Sequence, residues 1–361
     1  MKYDPGGERL SATAKAKVRK GTLLSAGTFR RLLECSHVSD VAHMLRSTYY
    51  ADYLPADAET LHRNEIEFHL LNTMKNEVQS FFSSADLKRR AFLKLWLERW
   101  DIQLIKSIVW KTYVGRIDSN VEVKDEIESP SPDSSLIDRQ KLLSSNNIEE
   151  VIASIKNEKL VMYMEESMKR PVGKRSPALA IGLALDMFQN NRTFDAANCF
   201  SGKEKEGLLS LVGTYMDSMN IISMYRGKKY FNTSDEITLS LAFCTRYRVN
   251  FEMLKTIASL PSERMWELLV NTKYASLLPT EGGSESDEIS SVAGITRRMR
   301  FIQRTNALKV FRGGGAGVHF VLAYLILREF EILSLNAVIE IVRYNYDRDK
   351  VEKLLALSSS F

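Results

Sequence analysis

The chain has 361 residues, 44% of them apolar and 26% charged, and a net charge of +5 from 50 basic and 45 acidic side chains. That composition belongs to a folded protein with a sizeable core and argues against a disordered or a membrane-embedded chain. The small positive balance biases the surface weakly toward acidic partners or a membrane, and decides no function alone.

Met1 to Leu10 carries Pro5, Gly6, Gly7 and Glu8 where a secretory signal places an apolar stretch, so an intracellular protein is expected. Farther on, Ile66, Leu70, Met74, Val78 and Phe81 recur at helical spacing and predict one amphipathic helix within Leu61 to Phe82. The same three- and four-residue spacing recurs along the chain with little period-two alternation, so the predicted fold class is all-α. Asp118 to Ser135 combines Glu122, Asp125, Glu126 and Glu128 with Pro130 and Pro132, the composition of a solvated linker. Lys169 to Pro177 and Pro279 to Ser291, rich in Pro, Gly or acid, read as exposed loops. The apolar run Val318 to Leu327 is about half the ~20 residues that a bilayer crossing needs, so no membrane-spanning helix is expected. Cys35, Cys199 and Cys244 are widely spaced, form no C-x-x-C pair and read as buried thiols in a reducing compartment.

Internal similarity is the most informative feature. Val38 to Leu54, Ile148 to Met164 and Ser262 to Leu278 each read as a short amphipathic helix, a polar step and an apolar tail. The first and third align without a gap over Leu45/Leu269, Thr48/Thr272, Tyr50/Tyr274, Leu54/Leu278 and Pro55/Pro279, a constant offset of 224 positions. Each copy later carries a helix marked by one carboxylate, at Asp101, Asp217 and Glu331, with spacings of 116 and 114 residues. The expectation is three helical repeats, 1–125, 126–235 and 236–361, arranged as similar bundles with approximate threefold symmetry or in a row.

Candidate chemistry is sparse. His62, Glu65 and His69 share a helical face, but their spacing is not the H-E-x-x-H of zinc hydrolases, so a solvated helix start is expected and no metal. Gly313, Gly314, Gly315 and Gly317 lack a following Lys-Ser or Lys-Thr and fit a turn between helices, so no nucleotide or other cofactor is expected. Recurrence of Asp101, Asp217 and Glu331 points to a structural role, capping a helix or pairing with an arginine, and away from acid–base catalysis. Arg297, Arg298, Arg300 and Arg304, with Lys309 and Arg312, form the densest positive segment. It reads either as a partner-binding face or as a solvated face balanced by the acidic Glu281 to Glu288 stretch.

Ala16-Lys17-Val18-Arg19, Leu23-Leu24-Ser25, Phe29 to Leu33, Leu45 to Tyr50, Asp101 to Lys106, Asp217 to Ile222 and Arg328 to Ile332, in this order and with this threefold spacing, resemble the C subunits of the archaeal and bacterial V/A-type rotary ATPases, relatives of the eukaryotic d subunits. The resemblance covers nearly the whole chain. It implies a non-catalytic, funnel-shaped part that seats the central axle, built of the D and F subunits, on the membrane rotor ring and transmits torque. It also implies a cytoplasmic protein, peripheral to the membrane through its complex, with no nucleic acid as partner. The other reading is a free helical-repeat adaptor that binds nucleic acid or an acidic protein through residues 297–312.

Overall fold

A computed structural model of the protein describes residues 5–55, 63–114, 136–242, 245–265, 274 and 292–346. Among these residues the chain is all-α, with fifteen α-helices, three short 3-10 turns and no strand. One isolated antiparallel bridge pairs Ile137 with Ile155. Two compact units divide the chain, one within Met1–Arg90 and Arg304–Phe361, the other within Ala91–Gln303.

The first unit contains α1 (Pro5–Lys20), α2 (Ala26–Leu33), α3 (Val38–Leu45), a 3-10 turn at Tyr49–Asp52, α4 (Arg63–Ser80) and α15 (Val318–Tyr344). α15 packs against α1, α2, α3 and α4. It is the hub because its first turns are apolar on every side: Phe320, Val321, Leu322, Ala323, Tyr324 and Leu325 are all fully buried. The apolar run seen in the sequence is therefore the centre of a packed helical core, and no described helix is long and apolar enough to cross a membrane. The predicted stripe on α4 meets this core, with Ile66, Leu70, Met74 and Val78 buried.

The second unit holds most of α5 (Leu87–Val114), then α6 (Arg139–Leu143), α7 (Ile148–Ala153), α8 (Glu158–Lys169), α9 (Pro171–Arg175), α10 (Pro177–Asn198), α11 (Gly202–Phe231), α12 (Asp235–Ser240), α13 (Phe251–Ser259) and the start of α14 (Val292–Arg312). Side chains at the N-caps explain where these helices begin. Asp138, Asn147, Asn157, Ser176 and Asn250 each accept a hydrogen bond from the backbone N–H three residues on, typically ~1 kcal/mol per cap.

Residues 169–177, expected as a loop, instead carry α9 and the start of α10. Pro171 and Pro177 each occupy the first turn of a helix, where the missing N–H would have had no partner and the fixed φ suits the helix. Both prolines are start signals, not breaks. Cys199, expected buried, is exposed because it caps α10 at the turn into α11, while Cys35 is half-buried and Cys244 lies outside the described residues. The acidic stretches 118–135 and 279–291 also lie outside them.

α5 runs antiparallel to α10: the rings of Phe92 and Phe200 are 5.8 Å apart at one end, and Lys106 binds Asp186 at 2.8 Å fourteen residues along. α11 folds back along α10, since Leu241 packs with Ala180 near the start of α10 and lies against Gly227 near the end of α11. The ends of α5 and α11 therefore point the same way within this unit.

Candidate functional site

In the first unit, Glu331 is fully buried on α15 and accepts hydrogen bonds from the Tyr50 hydroxyl at 2.7 Å and from the Leu24 backbone N–H. It also forms an ion pair with Arg328, one turn away on the same helix and equally buried. The Arg328 guanidinium lies 4.3 Å from the centre of the Tyr49 ring and donates to Tyr324 and Thr22. A second fully buried carboxylate, Glu77 on α4, pairs with Arg19 of α1 and accepts from the hydroxyls of Tyr49 and Tyr324. Two acids thus face two arginines, so the buried charges cancel and their lone pairs are met by tyrosine donors. Burial pushes the Glu331 carboxyl above the usual glutamate value, and Arg328 and Tyr50 pull it part of the way back.

In the second unit, Asp217 is fully buried on α11. Three consecutive backbone N–H groups, from Tyr247, Arg248 and Val249, donate to it at 3.1, 2.7 and 3.1 Å, and the Tyr274 hydroxyl donates at 2.6 Å. Burial raises its carboxyl, opposed by Tyr274 and these three amides. The two arrangements correspond at two positions, one amide and one hydroxyl. Leu24 and Arg248 are 224 residues apart, as are Tyr50 and Tyr274, so the same amide and the same hydroxyl reach the same carboxylate. Asp101, buried on α5, receives Arg139 Nη2 at 3.3 Å. Leu160 stands at the tyrosine position of this copy and is fully buried, so the hydroxyl is replaced by apolar packing.

Each acid has a partner far along the chain: Asp101 meets Arg139, Asp217 meets residues 247–249 and Tyr274, and Glu331, besides Arg328 on its own helix, meets Leu24 and Tyr50. These carboxylates act as clamps that fix one segment onto another. Sequence reasoning missed Arg328 and Glu77. Arg328 had a signal in its i, i+3 spacing to Glu331, whereas Glu77 looks like an ordinary helix acid beside Val78.

The basic segment is not one exposed face. Arg300 is exposed, Arg297 and Arg298 are half-buried and Arg304 is buried. Burial pulls the Arg304 guanidinium down to about 10, and Arg298 is lowered by burial and by neighbouring Arg297. His62 lies outside the described residues, His69 is lowered by burial, and no group of three metal-ligating side chains gathers among the described residues. The glycines at 313–317 form the turn between α14 and α15, where the Gly317 N–H donates to Thr13. A cleft of about 560 Å³ runs along α8 and α10, and its lining includes Met162, Tyr163, Leu183 and Met187 together with Lys159 and Arg170.

Residues 12–354 match the family described as ATP synthase (C/AC39) subunit. The A-type ATP synthase C subunit of Methanobrevibacter smithii is 21% identical over 331 residues, covering 91% of this chain and 83% of that protein. The protein of the same name from Pyrococcus horikoshii is 22% identical over 351 residues, covering 95% and 88%. With a match that spans nearly its full length, the chain belongs to the ATP synthase (C/AC39) subunit family.

Proposed function

We propose that the protein is a non-catalytic coupling component of a rotary A/V-type ATPase, which seats the central axle, built of the D and F subunits, on the membrane rotor ring and carries torque between them. The observation that carries this reading is family membership across residues 12–354. The buried clamps support it, because a part that transmits torque must resist shear. Closely packed helices stapled by enclosed ion pairs and tyrosine hydrogen bonds deform little. Division into three repeats, 1–125, 126–235 and 236–361, belongs to the same proposal. So does a contact from Arg300 to an acidic partner surface, since that arginine reaches solvent. The test is reconstitution of the chain with the purified axle proteins and with the isolated rotor ring. A ternary complex that needs this chain to form is expected; axle and ring joining equally well without it overturns the reading.

A further inference from the structure

One end of the second unit is strongly basic and carries exposed aromatic rings. α8 ends in Lys169 and Arg170, α9 adds Lys174, and the last two turns of α11 present Arg226, Lys228 and Lys229. Contacts among Val172, Ala180 and Leu241, and of Leu241 with Gly227, bring α9, the start of α10 and the end of α11 together. Against these six cations stand Asp235 and Glu236 of α12, of which Asp235 binds Lys228 at 2.9 Å. Glu165 and Glu166 lie a turn farther back on α8.

Tyr230 and Phe231 at the end of α11 are 66% and 56% exposed, and Trp110 and Tyr113 at the end of α5, which points the same way, are 40% and 44% exposed. Such rings are ordinarily covered. The ending recurs: Lys111-Thr112-Tyr113 on α5, Lys228-Lys229-Tyr230 on α11 and, in the other unit, Arg343-Tyr344 on α15. Lysine and arginine beside tyrosine and tryptophan suit the headgroup layer of a bilayer, where the rings bury their apolar bodies and keep their polar tips wet. Anionic lipids attract the cations. Nucleic acid is disfavoured, because the aromatics sit at the ends of separate helices.

We propose that this end of the second unit binds an anionic lipid surface. The inference goes beyond the coupling role and does not require it, since the isolated chain is the species that binds. Co-sedimentation of the full chain with vesicles tests it, comparing phosphatidylcholine alone with phosphatidylcholine containing phosphatidylglycerol. Binding to the anionic vesicles only is expected. Lys174→Gln with Lys229→Gln weakens it roughly 30-fold, the loss that follows from removing two surface-attracted cations. Lys203→Gln with Lys205→Gln, an equal charge change at the opposite end of α11, alters binding by less than about threefold on the same reasoning. Tyr230→Ser with Phe231→Ser weakens binding without changing its salt dependence. The proposal is overturned if anionic vesicles are not bound, or if both lysine pairs weaken binding equally. Capture of soluble polyglutamate in place of vesicles also overturns it and assigns the face to an acidic protein.

Discussion

The Tyr50 hydroxyl donates to Glu331 across 281 residues of chain, and this bond joins the first helices of the protein to its last described one. Removing the carboxylate leaves Arg328 enclosed with only Glu77, 3.9 Å from its Nε and already paired with Arg19, as counter-charge. Glu331→Ala is expected to cost about 3–5 kcal/mol, the usual penalty for stranding a buried charge. Tyr50→Phe leaves one lone pair unmet and is expected to cost about 1–3 kcal/mol. Urea unfolding measures both. Equal and small losses contradict the clamp.

Asp217 provides a pH signature. Its folded carboxyl is raised above the ordinary 3.8, chiefly by burial, so the folded chain holds this proton more tightly than the unfolded one. The stability tied to its titration is fully present below the unfolded value and is lost as pH rises through the raised folded value. Asp217→Asn does not titrate. The urea midpoint of the native protein relative to this variant should therefore rise as pH is lowered from neutrality toward 3.8. A difference that falls on acidification means the carboxyl is held below its ordinary value.

Gly213 shows how tightly the second clamp is packed. A Cβ at this position meets the Tyr247 side chain directly, and the Tyr247 N–H is one of the amides on Asp217. Gly213→Ala forces that ring aside and is expected to cost about 1–3 kcal/mol through overpacking. Gly213→Ala combined with Tyr247→Ala should recover part of the loss. Thermal unfolding reports both variants.

The basic helix divides by burial. Arg304→Ala opens space in a packed interior and is expected to cost about 2–4 kcal/mol, while Arg300→Ala, at an exposed position, stays within about 0.5 kcal/mol. Partner affinity should show the reverse order, with Arg300→Glu weakening axle or ring binding and leaving the melting curve unchanged. Indistinguishable melting curves for Arg304→Ala and Arg300→Ala contradict this division.

Much of the fold was legible because it rests on periodicity. The α4 stripe, the helical class and the three carboxylate marks all come from residue spacing, which the chain displays openly. What Glu331 and Asp217 bind was legible only in part. The offset that pairs Tyr50 with Tyr274 was visible, yet nothing local says that a tyrosine will meet an acid far away along the chain. Pro171 and Pro177 misled because proline favours loops and first helical turns alike, and the deciding cap at Ser176 is a single side chain. Arg297 to Arg312 looked like one charged face because spacing alone does not show that, of Arg300 and Arg304 one turn apart on the same side of the helix, only the second is covered. Arg304 falls in line with Ala307 and Phe311, three and seven residues on, and is covered with them.

Mechanical coupling is the central claim, and the most direct measurement compares ATP hydrolysis with ion pumping in membranes from which this chain alone has been removed. Hydrolysis by the catalytic head is expected to persist while pumping per ATP collapses, and adding the purified chain back should restore it. Pumping per ATP that is unchanged without the chain would contradict the coupling role.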